Sequence, residues 1–375
     1  MAGAAVAPAL GVIEAHFSHD SSLLVQMIIS MPAIFIVLTN LLFPRLCRHF
    51  SSKTLVMAGL LLYTVGGCAA GACSRIGVLL ATRALVGIGV GIIMPLSTGL
   101  LAFYFSRDKQ EKLMGYSSAM NQMGGVVATL ISGLLAAVSW RASFLVYLMG
   151  LISIVLCLFF LPKDRIAPDP TPSGAGSVRA TDFLPYLACM FFLMISFFIY
   201  PSNFAIETSA AGIIPQKWIS VIMASMDFVA FFGGLLFVRV KQTLGDRTRL
   251  FAPALFLAGY LLLSLSGGWA GTLAGSFCIG FANGAGIPFL ISAVSKKAGK
   301  AAAATVLPLI SAALYLAQFL TPMIVAAIRT LPGSGQVSHL PYAAAAVSSG
   351  LLLILSAVFL KEAPAKRLQE ADDPT

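Results

Sequence analysis

Apolar runs long enough to cross a lipid bilayer recur along this chain with little between them, and nothing else in the sequence limits its fold as severely. They fall at about residues 2–17, 21–44, 54–73, 77–105, 113–138, 142–161, 183–206, 218–238, 250–266, 268–294, 302–328 and 340–360, twelve in all. A helix needs about 20 apolar residues to span ~30 Å of hydrocarbon. In lipid each run must be helical, because a spanning segment has no water to satisfy its backbone polar groups. The first run is short. "MAGAAVAPALGVIEAHF" is apolar from its second residue and lacks the basic start and cleavage site of a signal peptide, so it reads as a first helix missing its inner half. Composition agrees: 58% of the 375 residues are hydrophobic and 10% charged, where a soluble domain carries roughly 25% charged residues.

The basic residues set the topology. Nineteen of the 24 Lys and Arg lie in alternate loops, from Arg45, Arg48 and Lys53 through to Lys361, Lys366 and Arg367. The opposite loops hold only Arg75, Arg141, Lys217 and Arg329. The positive-inside rule puts the richer set, and with it the C-terminus, in the cytoplasm of a multi-pass protein of the cell membrane. The net charge of +10 is thus an orientation signal rather than a nucleic-acid footprint. The six cysteines are scattered through apolar segments, with no disulfide framework and no metal-ligand spacing.

The longest link, "PKDRIAPDPTPSGAGSVRATD" at 162–182, is rich in Pro, Gly and Ser and reads as a flexible tether. It divides the chain into an N-terminal six-helix bundle (1–161) and a C-terminal one (183–361), followed by a tail at 362–375. The basic loop "PRLCRHFSSKT" from Pro44 and the loop "VRVKQTLGDRT" from Val238 each follow the second helix of their half. Aligned, Arg45 meets Arg239, Lys53 meets Arg247 and Thr54 meets Thr248, which suggests a duplicated six-helix unit.

On these features the chain resembles the major facilitator superfamily, over essentially its whole length. The loop after segment 2 keeps Leu46 and Lys53 of the family's G-x-L-A-D-R-x-G-R-K. Segment 4 carries "RALVGIGVG", which matches R-x-x-Q-G-x-G at Arg83, Gly87 and Gly89, with Val86 in place of the glutamine. "SWRASF" after segment 5 and "LAQFLTPMI" in segment 11 are further echoes. The glycine-proline motif of proton-driven drug exporters corresponds to "ATLISG", where Gly133 is present and the proline is not. The resemblance implies an all-α membrane protein with two six-helix bundles that transports by alternating access. It implies that Arg83 faces the cavity and tunes a proton-carrying acid, and that Arg45, Arg48, Lys53, Arg239 and Arg247 belong to gating loops.

The residues themselves leave choices open. Arg83 either lines a wet cavity or snorkels to the surface. Asp227, near the middle of segment 8, is either a proton carrier or an interhelical hydrogen-bond partner, since intramembrane acids usually mark ion or substrate paths. Glu14 either pairs with Arg83 or meets water. Gln26, Asn121, Gln122, Asn203, Asn283 and Gln318 are candidates for a mid-membrane substrate pocket, although each could instead bond helix to helix. The run "GFANGAG" follows no strand and is no nucleotide loop.

The expectation is therefore a monomeric secondary transporter, not an enzyme, with no cofactor and the proton gradient as its energy source. Its partners are the bilayer and a small organic solute. A hydrophobic, drug-like compound leaving by proton-coupled efflux comes first; proton-coupled uptake of a small metabolite, or a relative that does not transport, are the alternatives. No cluster of His, Asp or Glu suggests membrane-embedded catalysis.

Overall fold

The computed structural model describes residues 4–105, 107–164, 180–212, 214–265, 268–330 and 339–360, and no strand occurs among them. A 3-10 turn at Ala4–Ala9 leads into α1 (Leu10–His16). Then follow α2 (Ser22–His49), α3 (Ser52–Ala69), α4 (Ile76–Tyr104) and α5 (Arg107–Val138). A 3-10 stretch at Ala142–Leu148 opens α6 (Met149–Phe160). The second half comprises α7 (Leu184–Ala211), α8 (Gln216–Leu244), α9 (Thr248–Leu265), α10 (Trp269–Arg329) and α11 (Leu340–Phe359).

Local chemistry sets the ends. The Ser21 hydroxyl accepts from the Leu23 N–H and the Ser51 hydroxyl from the Thr54 N–H, both at 3.3 Å, capping α2 and α3. Gly212 (φ +64°) ends α7 in the left-handed region that favours glycine.

The glycines of "GIGVG" explain how α4 sits between its neighbours. A Cβ at Gly87 would come within 2.4 Å of the Pro32 carbonyl, and one at Gly91 within 2.7 Å of Thr39, both on α2. A Cβ at Gly89 would come within 2.5 Å of the Gly59 carbonyl on α3. A spacing of four therefore serves one neighbour and the glycine between serves the other, which is how small residues let membrane helices approach.

One boundary differs from the sequence expectation. Segments 10 and 11 are one stretch of helix, 61 residues from Trp269 to Arg329. Straight, it would run about 90 Å, three bilayer cores. It instead turns back. Trp269 packs on Trp218 at the start of α8 (ring centroids 5.9 Å), and Arg329 lies 3.7 Å from Glu207 near the end of α7. Between them, Lys297 reaches the opposite end of α7, donating to the Asp182 carbonyl at 2.8 Å and lying over the Phe183 and Tyr186 rings. Helical residues themselves make the turn that a loop was expected to make.

The molecule thus has a basic face, where Lys53, Arg247 and Lys297 lie, and a neutral face. At the basic face the Asp164 carboxylate accepts from the Tyr104 hydroxyl at 2.5 Å, beyond the membrane-spanning part of α4, and pushes that phenol up to about 12. The Asp164 carbonyl accepts from the Ser52 N–H at 2.9 Å, which anchors the start of the 162–182 link.

The two halves meet through α1 with α7, α5 with α8, and α2 with α10. The closest of these approaches crowd toward the neutral face. Gln216 donates to the Pro8 carbonyl at 3.0 Å, a Cβ on Gly11 would sit 2.5 Å from the Ser209 hydroxyl, and one on Gly133 would sit 1.9 Å from the Ser220 Cβ. These contacts bring α1 against α7 and α5 against α8 at the neutral face. Exposed residues occur at both ends of α5, Tyr116, Met120 and Asn121 toward the basic face and Leu134 and Val138 toward the neutral one.

Candidate functional site

Along the seam between α5 and α8, the Thr129 hydroxyl donates to the Asp227 carboxylate at 3.1 Å. Thr129 is itself buried. Toward the neutral face, one turn on from Thr129 and two from Asp227, Gly133 lies against Ser220, so the same two helices are in backbone-close contact there. The Thr129–Asp227 bond thus joins a hydroxyl of one half to an acid of the other.

A second seam joins α2, α7 and α10. Gln26 donates to the Asn203 side-chain oxygen at 2.8 Å, and Asn203 donates to the Ile199 carbonyl at 3.0 Å. One turn along α2, Gln318 reaches the Ile29 carbonyl at 3.4 Å. Three of the six pocket candidates are thus brought together, all buried. Asn283 is also buried, and its side-chain oxygen has no partner among the described residues. Asn121 is exposed, toward the basic-face end of α5. The Gln122 side chain lies outside the described residues.

A crevice of about 270 Å³ opens at the neutral-face end of this seam, lined by Ser21, Ser22, Gln26, Val325, Arg329 and Thr330. The Ser22 hydroxyl is buried there without a partner.

Arg83 stands apart from both seams. It is wholly buried, which excludes snorkelling. Its guanidinium donates to the Tyr147 hydroxyl at 2.9 Å and to the Gly66 and Gly67 carbonyls at 3.0 Å, with the Phe144 ring 5.0 Å away. It ties α3, α4 and the 142–148 stretch together inside the N-terminal half. No hydrogen bond joins it to Glu14, which is half-buried, or to Asp227.

The loop cations are dispersed in this structure. Arg45, Arg48, Arg239 and Arg247 are exposed, and Lys53 donates to the Leu158 carbonyl at 2.7 Å. None of these five forms an ion pair with a carboxylate among the described residues. The same residues show no grouping of three His, Cys, Asp or Glu fit to hold a metal ion.

The sequence that builds these helices is matched by a known pattern. The family model of the Major Facilitator Superfamily fits residues 1–322. The chain belongs to the Major Facilitator Superfamily.

Its relatives within the superfamily are distant. It is 28% identical over 239 residues to the uncharacterized MFS-type transporter EfpA of Mycobacterium tuberculosis, covering 59% of this chain and 41% of EfpA. To the quinolone resistance protein NorA of Staphylococcus aureus it is 30% identical over 134 residues, 36% of this chain and 33% of NorA. To the riboflavin transporter RibZ of Clostridioides difficile it is 23% identical over 141 residues, 37% of this chain and 31% of RibZ. The matches thus span less than half the length of these curated relatives. Among solved structures, a bacterial homolog to the human lysosomal transporter Spinster, inward-facing and unoccupied, superposes with a TM-score of 0.69 at 16% identity, over 97% of this chain and 96% of that one. The peptide transporter POT superposes at 0.72 and 13% identity, over 95% and 92%. Both likenesses speak to fold alone.

Sequence reasoning about this superfamily member missed Thr129, Tyr147 and the trio Glu207, Arg329 and His339. Thr129 and Tyr147 look like ordinary residues of apolar helices, and only their partners single them out. Arg329 and His339 flank a loop in the sequence, and no spacing rule ties them to Glu207 on α7.

Proposed function

We propose that this Major Facilitator Superfamily chain is a secondary active transporter that carries a small organic solute by alternating access, with proton-coupled efflux of a hydrophobic compound as its first activity. The observation that carries the reading is the Thr129–Asp227 hydrogen bond across the two halves. Alternating access requires the halves to part along this seam. An acid placed on the seam changes what the parting costs according to whether it holds a proton, and so lets a proton shift the populations of the two states. By the positive-inside reading, the basic face is cytoplasmic. The close contacts of α1 with α7 and of α5 with α8 at the neutral face favour a cavity that loads from inside. The apolar helices around the buried Gln26–Asn203 pair favour a weakly polar solute over a sugar acid.

A second reading, proton-coupled uptake, is favoured by the crevice beside Arg329 at the opposite face. Reconstitution into liposomes, with the membrane-permeant dye Hoechst 33342 as the probe and an imposed pH gradient, tests the transport reading. Dye movement that follows the gradient and requires Asp227 supports it. No proton flux with the dye, and none with carboxylate solutes either, would leave a transporter-like protein that does not transport.

A further inference from the structure

The crevice between the neutral-face ends of α2 and α10 adjoins a charged trio that the sequence left unconnected. Arg329, which lines the crevice, approaches one oxygen of Glu207 at 3.7 Å, and His339 lies 3.2 Å from the other oxygen. A charge-assisted hydrogen bond to a carboxylate is about 2.7–2.9 Å long, so the contact of Arg329 with Glu207 is a longer-range ion pair. His339 is held by its backbone: at φ 54° it is the one non-glycine residue with a left-handed conformation among those described, at the start of α11. Its ring stacks on Tyr342 with centroids 5.7 Å apart. Such strain persists where surrounding structure enforces it, and it gathers at working sites.

We propose that this crevice is a proton-gated binding site for an organic anion, with Arg329 contacting the anion and Glu207 and His339 setting its charge. With a neutral imidazole, the carboxylate and guanidinium cancel. With a protonated imidazole, the trio carries one net positive charge at the wall of the crevice. Imidazole is the side chain that ordinarily makes this change between pH 5 and 8. An anion entering then completes the neutralisation, so proton and anion each strengthen the other's binding. Among the described residues the other ionisable groups facing the trio are Tyr342 on α11 and, behind it, Tyr260 on α9 with ring centroids 6.1 Å from Tyr342. Both are phenols that add no charge in this range. On the α2 side Asp20 is exposed, one residue before Ser21.

The remaining walls suit a compact amphiphile. Ser21, Ser22, Gln26 and Thr330 offer hydroxyl and amide groups, and Leu23 and Val325 offer apolar surface. A cavity of about 150 Å³ holds benzene, so about 270 Å³ admits one ring and an oxyanion head. The solute class is an aromatic or short-chain carboxylate or sulfonate. The function of such a site rests on the transporter reading and draws it toward uptake, since proton and anion would load together from the neutral face. Its binding behaviour can be read without any transport.

The test is calorimetric titration of the purified full-length chain with benzenesulfonate, charged at every pH used, at about pH 5.5 and about pH 8, the two sides of the imidazole range. Benzenesulfonamide is the neutral control. The wild type should bind the sulfonate about tenfold tighter at the lower pH, within the usual range of coupling between linked ligands, and bind the sulfonamide equally at both. His339→Gln should flatten the pH dependence at the weaker level. Glu207→Gln should bind at the higher pH as tightly as the wild type does at the lower, a gain that damage to the fold cannot produce. Arg329→Gln should lose the sulfonate and keep the sulfonamide. A pH dependence that survives in His339→Gln, or no gain in Glu207→Gln, overturns the proposal. A null result in liposomes alongside this binding pattern would retire the transport reading and leave the site standing.

Discussion

Thr129 on α5 donates its hydroxyl to Asp227 on α8 at 3.1 Å, and the two residues belong to different halves of the molecule. That bond gives the seam a chemical handle. Asp227→Asn keeps the shape and removes the ionisable group, so the variant should still bind solute while pH-driven dye movement in liposomes falls at least about tenfold. Thr129→Val removes a membrane hydrogen bond worth about 0.6 kcal/mol, and should change the rate by about threefold or less while transport still follows the gradient. Asp227→Asn transport that still tracks the imposed gradient would take Asp227 out of the coupling.

Arg83 answers to a different readout. Buried with three hydrogen bonds to Tyr147 and two carbonyls, it staples the N-terminal half. Arg83→Ala leaves those acceptors unmet and should cost about 2–4 kcal/mol, seen as a lower melting temperature of the detergent-solubilised protein. Arg83→Lys should recover only part, because an ammonium cannot reproduce the planar fork. Unchanged melting in both variants would show that the staple carries no stability.

Gly133 offers a steric test of the seam. With a Cβ there 1.9 Å from the Ser220 Cβ, Gly133→Val must wedge α5 away from α8 at the neutral face. Accessibility of a cysteine placed at Ser220 to a water-soluble maleimide should rise in the Gly133→Val background and stay low in the native one. Equal labelling in both would mean that the helices are not held together there.

The amide pair Gln26 and Asn203 should act as a unit. Each single change to Leu strands a buried partner, whereas the double change removes both ends of a 2.8 Å bond. The double variant should therefore melt above the less stable single one, with a coupling of about 0.6 kcal/mol by double-mutant cycle. Strictly additive melting shifts would deny the interaction.

Much of this was legible in the chain because the bilayer imposes simple rules. Run length marks helices, the loop cations mark faces, and Gly87 and Gly89 stood out as matches to a family motif in segment 4. Asp227 stood out because an acid in an apolar run needs a reason. What sequence could not supply was direction around the helix axis. Arg83 stood out equally, yet it turns toward Tyr147, 64 residues on, and away from the seam. Polarity alone did not say that Gln26, Asn203 and Gln318 would gather while Asn121 would not. The Glu207, Arg329 and His339 trio was invisible because three separate helices must be docked before their ends converge.

The uninterrupted helical path from Trp269 to Arg329 has a mechanical consequence. Two membrane arms meet at an elbow with no slack, so neither can tilt at the basic face without dragging the other. One arm packs on α8 and the other on α2, which places the elbow astride both halves. A shift of either arm is therefore felt by the other within the C-terminal half, and through the α2 contact by its neighbour in the N-terminal half.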